Sequence, residues 1–265
     1  MSELNKKNLF PTWWDILMGG WLFVLAMAGC STILKYIGQT FNIDSDALGA
    51  ISYIVSFLIA IILFYIYRRF RSGKQPALRT ISRHKATPQL LLGTFLLLTS
   101  IGIVSEPLMS LLPKEYFTRI DQSLNSSYGA IITIIVAPIF EEYFFRGMIQ
   151  QSLVQRYGSL VGVLLAAALF GIIHFNPVQI GGAFLGGIAI GYVYNRTQSL
   201  SAAIFIHSLN NALSFLIATL LGGSAVTLKE ILGGNHQTIY HITYAISVTV
   251  CVSSFWIIIS KLRKK

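Results

Sequence analysis

The chain has 265 residues, of which 54% are hydrophobic and only 11% charged. That charged share is roughly half of what soluble domains carry, and several apolar runs of about 20 residues are each long enough to cross a bilayer, which excludes a soluble globular protein. Much of the net charge of +10 sits in one loop and the C-terminal tail, a distribution that argues against a nucleic-acid-binding face and fits contact with anionic lipid headgroups.

The first apolar stretch is too long for a cleavable signal and begins with an aromatic anchor, so it reads as a membrane helix over 13–37, with Trp13 and Trp14 at an interfacial belt. A loop with Asp44 and Asp46 leads into a second helix over 48–67. The most basic stretch follows: seven Lys and Arg residues and no acid between Arg68 and Lys85. Helix 3 covers 89–112, with Glu106 directly before Pro107. A polar loop over 113–127 precedes helix 4 at 128–157, which carries Glu141, Glu142 and Arg146. Helix 5 begins near Ser159 and ends by Phe175, with His174 closing an apolar run near its end. Pro177 allows a turn into helix 6, which reaches 195 and whose glycines (Gly181, Gly182, Gly186, Gly187, Gly191) suit close helix packing. Helix 7 at 199–221 holds His207 and Asn211. After a polar loop, helix 8 ends near Ser260, and a KLRKK tail closes the chain.

The expected fold is therefore all-α: a polytopic membrane protein of eight transmembrane helices around a polar intramembrane cavity. It divides into helices 1–3 with the basic cytoplasmic loop (1–126), a core holding the buried polar residues (127–221), and the last helix with its basic tail (222–265). The positive loop and tail, with Arg156 and Arg196 marking two more inside turns, place both termini in the cytoplasm. Cys30 and Cys251 have neither metal-ligand spacing nor a secreted disulfide pattern.

Ionisable groups at membrane depth are rare unless they pair, line a cavity or do chemistry. Glu142 and Arg146 are four apart and share a helix face; Glu141 points about 100° away. One carboxylate can be held by Arg146 while the other faces a cavity as a candidate proton acceptor. Pro138 frees a backbone carbonyl and can kink the helix. His207 and Asn211 share a face, with Asn210 on another side. These groups suit two chemistries. In one, carboxylate and imidazole activate a water that attacks an amide carbonyl, while the remaining histidine and asparagine hold the oxyanion. In the other, histidines and a glutamate ligate zinc. The plainer alternative is that the same groups are buried polar pairs tying helices together. HExxH is absent, and so are GxSxG and an obvious Ser-Lys arrangement. Counted along straight helices, Glu141 lies about 24 Å from the inner end and His174 about 22 Å, whereas His207 lies only about 12 Å in.

EEYFFR fits the pattern EExxxR, FGIIH fits FxxxH and HSLNN fits HxxxN. In this order, on successive membrane helices, they resemble the CPBP family of CAAX-processing membrane endopeptidases and bacterial bacteriocin-immunity (abortive-infection) proteins, over about residues 127–221. The resemblance implies a bacterial intramembrane endopeptidase acting on a membrane-associated peptide or protein. It implies Glu141 and His174 as the water-activating pair, His207 and Asn211 as the oxyanion side, and Glu142 and Arg146 as the supporting pair. Both metal-dependent and metal-free glutamate mechanisms are described for the family; a metal, if present, falls to Glu141, His174 and His207. No cofactor is expected, with zinc as the alternative. Glu142 is committed to Arg146, whose guanidinium opposes a cation, and His207 has Asn211 one turn on in place of an acceptor for its second ring nitrogen. The rival functions are a catalytically silent protein that binds a peptide or receptor partner, as in bacteriocin self-immunity, and a transporter, for which no repeated half is found.

Overall fold

Ten helices and their connections make up a computed structural model that describes residues 10–72, 86–223, 226–232 and 237–263. The later part of the basic stretch, residues 73–85, and the end of the basic tail lie outside the described residues. The helices are α1 (Trp13–Phe41), α2 (Ser45–Ser72), α3 (Pro88–Met109), α4 (Glu115–Leu124), α5 (Gly129–Tyr157), α6 (Ser159–Ile172), α7 (Pro177–Thr197), α8 (Leu200–Leu221), α9 (Leu228–Leu232) and α10 (Gln237–Arg263).

Local chemistry sets most of these boundaries. Thr12 accepts the Asp15 backbone N–H while Asp15 accepts the Thr12 backbone N–H, a reciprocal cap that starts α1. Thr87 caps α3, Asn176 caps α7 with Pro177 in the first turn, and Ser199 caps α8. Two expectations need correction. The segment 113–127 is not simply a loop, because α4 forms within it, its Phe117 buried among the helices; its polar composition hid a single apolar face. The basic stretch does not begin in a loop either. Arg68, Arg69 and Arg71 lie in α2, where Arg69 and Arg71 in the last turn interact favourably with the negative end of the helix dipole.

Among the described residues, six helices are long and apolar enough to cross a membrane: α1, α2, α3, α7, α8 and α10. The number rises to seven if α4 and α5, bent by 101° at their junction, form one span. Against the eight expected, α6 falls short because its 14 residues rise only about 21 Å, less than the roughly 30 Å of a hydrocarbon core. The protein is thus an all-α, multi-pass membrane protein with six or seven long apolar helices.

Two cores hold the bundle. One joins α3, α7, α8 and α10 through Leu90, Leu97, Ile190, Val193, Tyr194, Ile206 and Ile258. The other joins α1, α2, α5 and α6 through Phe23, Phe57, Phe64, Phe144, Phe145 and Phe170, rings that meet mostly edge to face. Two of the three aromatic residues inside EEYFFR, Phe144 and Phe145, are therefore core, and Tyr143 packs against them partly buried. Small residues let α7 approach its neighbours: a Cβ on Gly187 would stand 3.2 Å from Ala167, and one on Gly191 would stand 2.7 Å from Gln150. Gly182, by contrast, faces open space.

Candidate active site

α5 is not a plain α-helix. It winds as π-helix over Ile132–Val136 and again over Tyr143–Gln150, on either side of the α-helical stretch Ala137–Glu142. Such wide turns are rare and concentrate at functional sites. Their backbone consequences are specific. In π register the Ala137 N–H reaches Ile132 O, so the next bond in the series would run from residue 138 to Thr133 O. Residue 138 is proline and has no N–H to give. The orphaned Thr133 carbonyl instead accepts Nδ2 of Asn211, from α8, at 3.0 Å. In the second stretch, Met148 O accepts Arg68 Nη1 at 3.1 Å and Ser152 Oγ at 2.8 Å. Pro138 does free a carbonyl, and a named side chain takes it.

The polar residues of α5 point inward between these two stretches. Glu142 and Arg146 are both 0% exposed, with Arg146 Nε 3.0 Å from Glu142 Oε2. The contact is an ion pair running off the N–H direction, and among the described residues Arg146 Nη1 and Nη2 meet no acceptor. The guanidinium lies over the Phe170 ring, 4.9 Å from its centre. Phe170, the first residue of FGIIH, also stands edge-on to both His174 and His207. That role follows from none of the ionisable-residue spacings, although the position itself is part of the FxxxH pattern.

His207 reaches α5 directly. Its Nδ1 is 2.9 Å from Glu142 Oε1, and its Nε2 is 3.8 Å from Glu141 Oε2. The offset in depth expected for His207 is thus not present. Part of the reason is the π winding between Glu142 and Tyr157, which gains less length per residue than α winding. A carboxylate only accepts, so with Glu142 ionised beside Arg146 the proton sits on His207 Nδ1 and Nε2 is left to face Glu141. Glu141 is nearly buried, and its Oε1 accepts the hydroxyl of Tyr53, from α2, at 2.9 Å. Tyr53 is a site residue that the sequence reading missed. A lone tyrosine in an apolar run has no distinguishing signal there.

His174 stands apart. α6 ends at Ile172, and a tight turn follows in which Phe175 adopts a left-handed conformation. His174 lies in that turn, beyond the helix on which it was expected. Its Nδ1 donates to Phe170 O at 2.9 Å, because a carbonyl only accepts, leaving Nε2 open. Among the described residues no direct hydrogen bond or ion pair joins His174 to Glu141. The structure therefore gathers Glu141, Glu142, Arg146 and His207, ties Asn211 to the same helix, and sets His174 against the ring of Phe170. An apolar crevice between α1, α2, α5 and α6 and a polar cleft between α3, α4, α9 and α10 are lined by none of these six residues.

The fit to a metal follows from the same geometry. Each histidine has one ring nitrogen held by an acceptor, as metal-bound histidines do. This overturns the expectation that His207 lacks such an acceptor. Against a metal, no three His, Cys, Asp or Glu side chains among the described residues are gathered as a metal site requires, and Glu142 is engaged by both Arg146 and His207.

Comparison with known proteins points the same way as the motifs. The model of the family described as "Type II CAAX prenyl endopeptidase Rce1-like" matches residues 123–213, a stretch that contains all seven motif residues and excludes Tyr53. A Bacillus subtilis (strain 168) protein named "Putative membrane peptidase YdiL" is 30% identical over 81 residues, 31% of this chain. The match spans about a third of that relative's length. No solved structure matches.

Proposed function

We propose that the protein is an intramembrane endopeptidase of a bacterial cell membrane, hydrolysing a peptide bond of a membrane-associated peptide or protein without a metal. One observation carries the reading: His207 is fixed by Glu142 on one side and presents its other ring nitrogen to Glu141, 3.8 Å away. That separation is too long for a direct hydrogen bond and leaves the two groups side by side, so that one water lying in front of both can contact each. A carboxylate that sets the tautomer of an imidazole, which in turn faces the reacting group, is the orienting logic of hydrolytic triads.

In this reading Glu141 takes a proton from the water as its oxygen attacks the amide carbon. The oxyanion then collapses, the C–N bond breaks, and the proton passes from Glu141 to the leaving nitrogen. Asn211 has a second N–H beyond the one it gives Thr133 O, and that donor is available to the oxyanion; His207 adds a second donor only when Nε2 is protonated as well, in the imidazolium form. His174, with Nε2 open, serves as an additional proton carrier at the rim. Substrate admission requires a polar cavity to open beside Glu141. Both termini face the cytoplasm, and the basic stretch and tail contact anionic headgroups.

The test is cleavage of fluorogenic peptides by the purified protein in lipid nanodiscs. Hydrolysis at a defined bond supports the reading. Saturable binding of a peptide with no cleavage across the library overturns it in favour of a silent, self-immunity type of binder.

A further inference from the structure

Tyr53 belongs to α2, outside the stretch that carries the motifs, yet it makes the one direct hydrogen bond to Glu141 among the described residues. Its position is not left to chance. α2 is fastened to α5 and its approach at three levels. Asp46 Oδ2 accepts the backbone N–H and the hydroxyl of Ser127 at 2.7 and 2.9 Å, Tyr53 reaches Glu141, and Arg68 Nη1 reaches Met148 O at 3.1 Å. From Asp46 to Arg68 the helix rises about 33 Å. Between the polar ties, Phe57 packs on Phe140 and Phe64 on Phe144. The phenol cannot move relative to Glu141 unless these contacts move with it.

We propose that Tyr53 is a positioning residue of the hydrolytic site, holding Glu141 Oε1 so that Oε2 faces His207 Nε2. This rests on the peptidase reading above and extends the working site to a helix that carries no family motif. A glutamate side chain is long, and a base must be placed to within about 0.5 Å to act. A phenol supplies that constraint through one neutral donor. An arginine in the same place would neutralise the carboxylate, as Arg146 does for Glu142. The division between the neighbouring glutamates thus follows from their partners: a cation fixes one, and a hydroxyl aims the other.

Tyr53→Phe removes the hydroxyl and keeps the ring against Phe57, 4.9 Å away between centres. In the full-length protein in nanodiscs, kcat on a cleaved peptide should fall roughly ten- to a hundred-fold, the worth of a hydrogen bond to a charged group. KM should stay within about twofold of the parent, and the melting temperature should fall by only a few degrees, because the ring keeps its packing. The infrared carboxylate band that disappears in Glu141→Gln should shift in Tyr53→Phe. An unchanged kcat with an unshifted band overturns the inference and leaves the peptidase reading standing. A raised KM with a larger fall in melting temperature assigns Tyr53 to packing and overturns it as well. A parent protein that cleaves no peptide overturns the peptidase reading and this role with it; a band that still shifts then marks a contact without catalysis, which distinguishes that failure from the first.

Discussion

Two acid–arginine pairs, Asp15 with Arg71 and Glu142 with Arg146, differ in what is left over around them. At one end of α1 and α2, Asp15 accepts from Tyr67 OH and Arg71 Nε on one oxygen, and from Thr12 N, Thr12 Oγ1 and Arg71 Nη2 on the other. Its arginine is 51% exposed and open to water. Every direction on that carboxylate is taken. In the middle of α5 the opposite holds. Among the described residues Arg146 is sealed in with two nitrogens that meet no acceptor, and Glu141 has one oxygen that accepts from Tyr53 and one that faces an imidazole out of direct reach. A saturated acid stabilises a helix start and joins two helices. An incompletely satisfied one, held in place at a cost, is able to act on something that arrives.

Glu141→Gln breaks the comparison on the side of the chemistry. The amide retains the shape and can still accept from Tyr53, but it cannot take a proton from water. Peptide cleavage should be abolished, while the variant elutes as a folded species in detergent and melts within a few degrees of the parent. Full activity in that variant would remove Glu141 from the mechanism.

Arg146→Ala strands Glu142 in a place with no water. Breaking a buried pair from one side costs about 3–5 kcal/mol, and the loss should appear as a lower melting temperature together with lower activity, because Glu142 also orients His207. A variant as heat-stable as the parent would mean that the ion pair is not what keeps Glu142 ionised.

How much of this was legible in the sequence depends on the kind of information involved. The i,i+4 spacing of Glu142 and Arg146 encodes their pairing in one helix, and that pairing is present. The order of the motifs along apolar segments, rather than any periodicity, pointed to His207 and the glutamates sharing a site. What was not legible was winding and contact between distant helices. No local rule marks 132–136 and 143–150 as π-helix, so the capture of Thr133 O by Asn211 and the depth of His207 were out of reach. Tyr53 is 88 residues from Glu141, and nothing in ISYIVSF separates it from an interfacial tyrosine. The end of α6 before His174 was missed because Phe175 in a left-handed conformation leaves no glycine to announce the turn.

Asp15→Ala sharpens the comparison from the structural side. It removes the reciprocal cap of α1, worth about 1 kcal/mol, and frees Tyr67 and Arg71, both of which can turn toward water. A modest drop in melting temperature with kcat unchanged is expected. If this variant lost as much activity as Arg146→Ala, the distinction between saturated and unsaturated pairs would not track function.

The smallest expected effect is that of a chelator. The sequence argument against zinc relied on His207 having no acceptor for its second nitrogen, and that premise is gone: Glu142 accepts from His207, and Phe170 O accepts from His174. The case now rests on charge and convergence. A catalytic zinc takes three protein ligands and keeps one position open. Glu142 already faces a guanidinium 3.0 Å away, one oxygen of Glu141 is taken by a phenol, and His174 has no direct contact with Glu141. Arg146, whose fixed positive charge is held against Glu142 and faces the same group of residues, opposes an added cation electrostatically. Purified protein should therefore carry zinc well below stoichiometric amounts by elemental analysis, and cleavage should survive prolonged chelation unchanged. Stoichiometric zinc, with activity lost on chelation and restored by zinc, would show that His174 swings inward to complete a ligand set, and would turn the unsaturated pair from a base and its orienting partner into a metal's outer support.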